Sequence, residues 1–363
     1  MPAKKLRILF TGYAPVHFLC FEPLYRRLVS MLGGGVDVFV SGGIREEDNG
    51  VVLSYDLERM YSPLGVPREH MLTVHEIAEQ DFDVLFSAHT NLIAPRSFGR
   101  SVQIFHGVSF RNRAVRAENM GCDQYFLAGP YMQRIFAAAG LMKEGDSRGV
   151  PIGFMKTDPL RDGSLNRESV LRSVGFSGAR PIILYAPTGA RFNSLETIGE
   201  GVLDQLLSTS KYDILVKLHD HPKDASRDWH TFLRGREGEH FRFALSMDVT
   251  PLLFIADLLI TDASSVANEY ALLDRPIVFL DVPELLAKFA VSGSAMDLDT
   301  WGRKTGPLVK EPREIVDAVA QCLREPDRFS DIRRAAAADL FFNPGRATDT
   351  AVEWLKETVR AAV

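Results

Sequence analysis

The sequence predicts an α/β protein of two doubly wound domains, and three observations carry that prediction. The chain has 363 residues, which is enough for about two domains of ~150 residues each. Short apolar runs typical of buried strands alternate with helical patterns along the chain. This alternation is interrupted once, by a polar stretch at 156–179, and then starts again. The expected architecture is therefore two Rossmann-like domains that face each other across a cleft.

The N-terminal domain is expected over residues 1–155. Apolar runs interleaved with helical patterns are typical of parallel β-α-β units, because helices then cover both faces of the sheet. The expected strands span 6–12, 36–42, 82–88, 101–107 and 123–129, and two of the helical patterns span 21–33 and 130–140.

The second half repeats this organisation. Residues 156–179 are rich in Gly, Asp and Ser and are expected to form a linker with one helix. A second domain is expected over 180–345, and a C-terminal helix over 346–363 is a candidate to pack back on the N-terminal domain. Its expected strands span 181–187, 212–219, 241–245, 257–262 and 276–281.

Composition excludes several classes of protein. The 42 Lys and Arg against 47 Asp and Glu give a net charge of −5, which argues against non-specific binding of duplex nucleic acid. Three scattered cysteines rule out a disulfide scaffold and a structural zinc site, and they suit a reducing compartment. Since no apolar run approaches the ~20 residues needed to span a bilayer, we expect a cytoplasmic protein, with peripheral membrane contact left open.

Ligands of doubly wound sheets bind at the carboxyl ends of the strands, and the sharpest motif there is TDASSVANEYALL at 261–273. Asp262 is a candidate helix N-cap, which places Ser264 and Ser265 beside a helix N-terminus that could bind a pyrophosphate. Glu269 follows about one turn later, where a carboxylate could accept hydrogen bonds from a ribose. The alternative is that this Asp-x-Ser-Ser sequence only caps a helix.

A second motif, VKLHDHP at 216–222, ends another expected strand. His219 and His221 point to the same face of an extended chain. One of them could donate to a phosphate oxygen while Lys217 adds positive charge. The alternatives are a metal-binding pair, for which further ligands on later strands are missing, and two surface histidines at a turn.

A third motif, IFHGVSFRNR at 104–113, ends a strand of the first half. His106 precedes a glycine, which leaves room for a substrate, and Arg111 and Arg113 follow closely. The sequence favours His106 as a candidate acid–base residue and the two arginines as candidate substrate contacts. The alternative is a solvated basic stretch after a capped strand end.

Two weaker motifs also follow expected strands. YAPTGARF at 185–192 offers Thr188 and Arg191 for phosphate or base contacts, and GYAPVHF at 12–18 offers His17 to the same expected cleft.

Taken in order, these motifs resemble the CDP-glycerol glycerophosphotransferase family, the group of teichoic-acid polymerases and primases. The matching segments are FHG at 105–107, LYAPT at 184–188, KLH at 217–219, the block at 257–281 and NPGRATD near the C-terminus. The resemblance covers roughly residues 100–350. It implies a two-domain GT-B fold.

The resemblance also implies roles for the candidate residues. His106 would be the general base on the acceptor side, where His17, Arg111 and Arg113 are expected as well. The donor pyrophosphate would contact His219 or His221, with Ser264 and Ser265 at its phosphates and Glu269 at its ribose. Lys217, Thr188, Arg191 and Asp262 complete the expected pyrophosphate site. The choice between His219 and His221 stays open, because KLHDHP has two extra residues before its His-Pro pair.

The activity implied is transfer of glycerol phosphate, or a related alcohol phosphate, from a CDP-activated donor to a hydroxyl, with release of CMP. We expect no metal and no cofactor, since fixed donors can offset the pyrophosphate charge. The expected acceptor is a lipid-linked saccharide or a surface polymer of the teichoic-acid or capsule type, at the inner membrane face. The alternatives are a nucleotide-sugar glycosyltransferase of the same fold, a UDP-sugar 2-epimerase and a non-catalytic nucleotide-binding protein.

Overall fold

The chain folds into two α/β units, each built on its own six-stranded sheet. The structure is a computed structural model and describes residues 5–31, 35–48, 51–89, 92–113, 115–219 and 227–360. The first unit comprises Met1–Gly107, Ala114–Asp158 and Leu340–Val363, and the second comprises Val108–Arg113 and Pro159–Asp339.

The sheet of the first unit is parallel, with strand order β2-β1-β5-β6-β7-β8. Its central strands are buried on both faces, which explains their continuous apolar runs. Its strands are β1 (Leu6–Gly12), β2 (Val36–Gly42), β5 (Asp81–Ser87), β6 (Ser97–Ile104), β7 (Gln124–Phe126) and β8 (Gly149–Val150).

Four short or medium helices and a small hairpin complete the N-terminal part of this unit. The antiparallel hairpin pairs β3 (Ile44–Asp48) with β4 (Val51–Asp56), and no pattern in the sequence had predicted it. The helices are α1 (Pro15–Ser30), α2 (Leu57–Tyr61), α3 (Val74–Ala78) and α4 (Pro130–Ala138). Helix α1 starts six residues before the expected 21–33 pattern, because Pro15 is tolerated in the first turn of a helix.

The second unit repeats the parallel sheet with strand order β11-β10-β9-β12-β13-β14. Its strands are β9 (Ile182–Tyr185), β10 (Asp213–Lys217), β11 (Phe241–Ala244), β12 (Leu258–Thr261), β13 (Ile277–Leu280) and β14 (Leu308–Val309). Its helices are α5 (Arg167–Val174), α6 (Glu200–Ser208), α7 (Trp229–Arg234), α8 (Thr250–Ile255), α9 (Val266–Ala271), α10 (Pro283–Val291), α11 (Ile315–Arg324) and α12 (Ser330–Leu340). A cluster of buried aliphatic and aromatic side chains lies between the central strands and α6 and α11.

The C-terminal helix α13 (Ala347–Arg360) belongs to the first unit. Its first turn is held by the buried Asp158, whose carboxylate accepts hydrogen bonds from the backbone N–H of Ala347 (3.0 Å) and of Thr348 (2.7 Å). Trp354 packs edge-on against Phe126, with 4.9 Å between ring centroids. The helix therefore adds to the core of the first unit, although the last strand of that unit, β8, ends about 200 residues before the helix begins.

We expect Asp158→Ala to lower the free energy of unfolding by about 2 kcal/mol, because two N–H groups of the helix terminus lose a buried charged acceptor. Urea unfolding monitored by circular dichroism measures this loss. The matched control is Asp349→Ala in the same first turn, which removes an exposed ion pair to Arg27 and should cost less than about 1 kcal/mol. Equal losses in the two variants would contradict the capping role of Asp158.

Candidate active site

Three histidines meet at the carboxyl edge of the first sheet. His17 lies in the first turns of α1 after β1, His89 follows β5, and His106 follows β6, and these three strands are neighbours in the sheet. The ring centroids of His17 and His106 are 5.1 Å apart, and those of His17 and His89 are 5.6 Å apart. The structure thus brings the predicted His17 and His106 together; we call these three residues the histidine cluster.

Backbone hydrogen bonds fix the tautomers of two members of this cluster. The Nδ1 atom of His106 lies 3.2 Å from the carbonyl oxygen of Ala88, so it must donate its proton there, and the lone pair of the neutral ring is on Nε2. The Nδ1 atom of His17 accepts from the N–H of Tyr13 at 3.2 Å, so its proton is on Nε2. The two rings therefore have complementary roles, one as a proton acceptor and the other as a donor.

His89 is the member of the histidine cluster that the sequence analysis missed. It is 2% exposed, and neither of its ring nitrogens has a hydrogen-bond partner in the part of the chain that the structure describes. Burial, together with the positive charge of His106 when protonated and that of Arg45, lowers the pKa of His89 to about 4. Its position directly after a buried strand was the available signal.

Tyr13 and Gly12 shape the floor of the histidine cluster. The ring of Tyr13 packs 4.5 Å from that of His17 and 4.7 Å from that of His89, and the guanidinium carbon of Arg45 lies 4.5 Å from its centroid. A Cβ atom on Gly12 would lie 2.8 Å from Cβ of His17. Glycine at this strand end is therefore what lets His17 approach the backbone.

A buried carboxylate organises the second unit. Asp262 follows β12 and is fully buried; one oxygen accepts from the N–H groups of Thr188 (2.9 Å) and Ala263 (2.6 Å). The other oxygen accepts from the N–H (2.9 Å) and the hydroxyl (2.8 Å) of Ser194. Burial raises the pKa of Asp262, and these hydrogen bonds act to lower it. The carboxylate joins the loop after β9 to the turn after β12.

The expectation that Asp262 is a helix N-cap is wrong. Helix α9 begins three residues later than that role requires, with Ser265 at its N-cap position and no side-chain capping bond. The physical reason is that both oxygens of Asp262 are already used by donors from other segments. Ser264 and Ser265 are partly exposed in this turn, whereas the predicted ribose contact Glu269 is 3% exposed on α9.

His219 and Thr188 share a pocket at the ends of β9 and β10. The pocket is also lined by Gly189, Glu196 and Trp229. A Cβ atom on Gly189 would lie 2.5 Å from Cγ of His219, so this glycine is what admits the imidazole. His221, the other predicted histidine, lies outside the described residues.

The four other cationic residues predicted for the site differ in exposure and in position. Lys217 is 8% exposed, and its ammonium donates to the carbonyl oxygen of Leu218 at 2.6 Å. Arg191 is exposed, with its guanidinium carbon 5.3 Å from the ring centroid of Phe192. Arg111 and Arg113, expected on the acceptor side, lie in the 108–113 segment that clusters with the second unit.

Within the described ranges, no group of three or more His, Cys, Asp or Glu side chains has an arrangement that could hold a metal ion. None of the helices in these ranges has the length and apolarity that a membrane crossing requires.

The pH dependence of stability tests the state of His89. Since its pKa is lower in the folded protein than the ~6.5 of an unfolded histidine, the unfolded chain binds the extra proton as the pH falls between these values. The resulting loss of stability is about 2 to 3 kcal/mol between pH 7 and pH 4.5. We expect His89→Phe to remove this part of the loss in urea unfolding at both pH values. An unchanged difference would show that His89 is protonated in the folded protein.

Asp262→Asn tests the organising role of the carboxylate. Whichever way the amide is turned, its NH2 group faces two donors, so we expect a loss of about 3 kcal/mol in the free energy of unfolding. The control is Asp228→Asn at the exposed N-cap of α7, where asparagine caps nearly as well and the loss should stay below about 0.5 kcal/mol. Similar small losses of unfolding free energy in the two variants would show that the carboxylate of Asp262 does not organise the second unit.

Comparison with known proteins identifies the family. The family CDP-Glycerol:Poly(glycerophosphate) glycerophosphotransferase matches residues 87–355. The chain is 29% identical over 163 residues to a teichoic acid poly(glycerol phosphate) polymerase of Bacillus subtilis, covering 41% of this chain and 20% of the relative. It is 24% identical over 221 residues to a teichoic acid glycerol-phosphate primase of Bacillus spizizenii, covering 58% of this chain and 51% of the relative. The chain thus spans from a fifth to about half of the length of these two relatives.

The fold has a solved counterpart. The structure of the wall teichoic acid polymerase TagF superimposes with a TM-score of 0.67 at 17% identity, covering 98% of this chain and 89% of that one. This confirms the predicted GT-B-like α/β fold with two parallel sheets. The family match includes His89 and His106 of the histidine cluster but not His17, and it includes Asp262 and the turn after it. The chain belongs to the CDP-glycerol:poly(glycerophosphate) glycerophosphotransferase family.

Proposed function

We propose that this protein transfers glycerol phosphate from CDP-glycerol to a hydroxyl of a growing polymer or its primer in teichoic-acid synthesis. The family match and the names of both relatives support this proposal. The observation that carries it is the hydrogen bond from Nδ1 of His106 to the carbonyl of Ala88, because it leaves Nε2 as the basic atom of an exposed imidazole at a strand end.

In the proposed step, the oxygen of the acceptor hydroxyl attacks the phosphorus that bears the glycerol. A new P–O bond forms, the P–O bond to CMP breaks, and CMP leaves with the electron pair of that bond. The hydroxyl proton passes to Nε2 of His106, which acts as general base. His17, whose Nε2 carries a proton, is a donor to an oxygen of the substrate, and the uncharged His89 adds no repulsion to protonation of His106.

Charge on the donor pyrophosphate is offset by fixed groups of the second unit. Asp262 binds no phosphate in this scheme. It is a positioning residue that holds the loop carrying Thr188 and the turn carrying Ser264 and Ser265 in place. His219, packed against Gly189, supplies an imidazole at the same sheet edge. Preorganised donors of this kind stabilise a transition state without reorganisation.

The acceptor is proposed to be lipid-linked, and the protein to act at the cytoplasmic face of the membrane as a peripheral protein. The cytoplasmic location is supported by the nucleotide-activated donor, since such donors are made in the cytoplasm. Contact of this type needs no spanning helix and uses local cationic or apolar residues.

The test is release of CMP from CDP-glycerol in the presence of an acceptor with a terminal glycerol phosphate. We expect turnover by the wild type, and a fall in kcat of ~10²–10⁴-fold for His106→Ala with binding of CDP-glycerol retained, because general-base catalysis contributes that much. The control is His75→Ala, an exposed histidine of α3 outside the site, for which turnover stays at the wild-type level.

Three outcomes would overturn the proposal. Turnover of UDP-N-acetylglucosamine in place of CDP-glycerol would indicate a glycosyltransferase or a 2-epimerase. Binding of CDP-glycerol without turnover by the wild type would indicate a non-catalytic binding protein. Full activity of His106→Ala would remove the assigned base.

A further inference from the structure

We propose that Arg111 binds a phosphate of the nucleotide donor, so that a residue expected to serve the acceptor serves the donor. This inference rests on the proposed function and names a further binding residue for it. Its starting point is the 108–113 segment, which comes from the middle of the first half of the sequence but clusters with the second unit.

The 108–113 segment is anchored in the second unit by backbone contacts and buried side chains. The carbonyl oxygen of Val108 accepts from the amide of Asn268 on α9 at 2.6 Å, and that of Phe110 accepts from the N–H of Asp297 at 2.9 Å. The side chains of Val108 and Phe110 are 2% and 3% exposed. Arg111 is therefore held firmly on the unit that carries the Asp262 turn.

Among the described residues, no carboxylate pairs with the guanidinium of Arg111. The guanidinium carbon lies 3.5 Å from the ring centroid of Phe289 on α10, and one terminal nitrogen donates to the hydroxyl of Ser294 at 3.0 Å. The Nε atom is buried and has no hydrogen-bond partner within the same part of the chain. Burial and the nearby Arg113 lower the pKa of Arg111, which means that the charged form is destabilised where it stands.

Two other arginines of the same unit are arranged differently. Arg333 is 1% exposed and is paired with Asp274, with 2.9 Å between Nε and the carboxylate. Arg303 is partly buried and is paired with Asp281 at 3.0 Å. A partly desolvated guanidinium costs free energy unless polar or charged partners compensate it. Arg111 has neither a carboxylate nor a partner for its Nε atom among the described residues, and this points to an anion supplied from outside the chain.

The neighbours of Arg111 place that anion near the turn after β12. Phe289 belongs to a buried cluster that includes Ala263, the residue directly after Asp262, and Phe192 packs against the same cluster. Arg191 and Lys288 both lie close to the ring of Phe192, at 5.3 Å and 5.4 Å from its centroid. Three cations around one apolar cluster form a site suited to a group with two or more negative charges, such as a pyrophosphate.

A phosphodiester of the polymer acceptor has the same chemistry as a phosphate of the donor. The experiment therefore measures how each Arg111 variant affects CDP binding and how it affects the KM of the acceptor. The dissociation constant of CDP is measured by isothermal titration calorimetry, and the KM of the acceptor is measured in the CMP-release assay. We expect Arg111→Gln to weaken CDP binding about tenfold or more, because a charge-assisted bidentate contact is lost. The acceptor KM should change by less than about twofold.

Two further variants control for fold and for charge. Arg172→Gln removes a cation that also donates to a serine hydroxyl, at the exposed face of α5, and it should leave CDP binding within about twofold of wild type. Arg111→Lys keeps the positive charge but loses the bidentate hydrogen bonding of the guanidinium, so we expect an affinity for CDP between those of the wild type and Arg111→Gln. This variant keeps the test valid if Arg111→Gln folds poorly.

Unchanged CDP affinity in both Arg111 variants would overturn the inference, and so would a raised acceptor KM with unchanged CDP affinity, which would return Arg111 to the acceptor. Failure of the proposed function looks different, because the wild-type protein would then release no CMP from CDP-glycerol, whatever its affinity for CDP.

Discussion

The buried carboxylate of Asp262 is the interaction on which the candidate donor site depends. A charged group that is fully buried is costly unless its hydrogen bonds are made, and Asp262 receives four of them from three other residues. Two of these, Thr188 and Ser194, lie about 70 residues earlier in the chain. The loop after β9 and the turn after β12 are thereby locked together, so that neither can shift without leaving donors of the other unpaired in the interior.

In the first unit the corresponding constraint comes from the backbone. A carbonyl oxygen can only accept and an N–H can only donate, so the contacts to Ala88 and Tyr13 give His106 and His17 opposite tautomers. His89 is not fixed in this way, and its burial keeps it uncharged instead. Three chemically identical side chains, of which His17 lies within about 6 Å of each of the other two, thus acquire three different states from their surroundings.

The strand ends could be predicted from sequence, because buried parallel strands and the residues that follow them leave local patterns. The positions of His106, Thr188 and Asp262 after strands were predicted in this way. The role of Asp262 could not be predicted, since its donors come from a segment some 70 residues away. The same holds for Arg111, whose contacts to Phe289 and Ser294 join segments more than 170 residues apart. His89 left the local signal of a polar residue after a strand, and it was overlooked because it has no neighbouring motif.

Both units use a glycine at a strand end in the same physical way. A Cβ atom on Gly12 would collide with His17, and one on Gly189 would collide with the ring of His219. In each case the histidine occupies the space that a side chain at the glycine position would fill. The histidine therefore packs directly against main-chain atoms of the glycine, and not against a side chain that can change its rotamer. Catalytic groups must be held within a fraction of an ångström of their productive positions. A main-chain contact is a more rigid support for that purpose than a contact with a flexible side chain, and both units provide one beside a histidine.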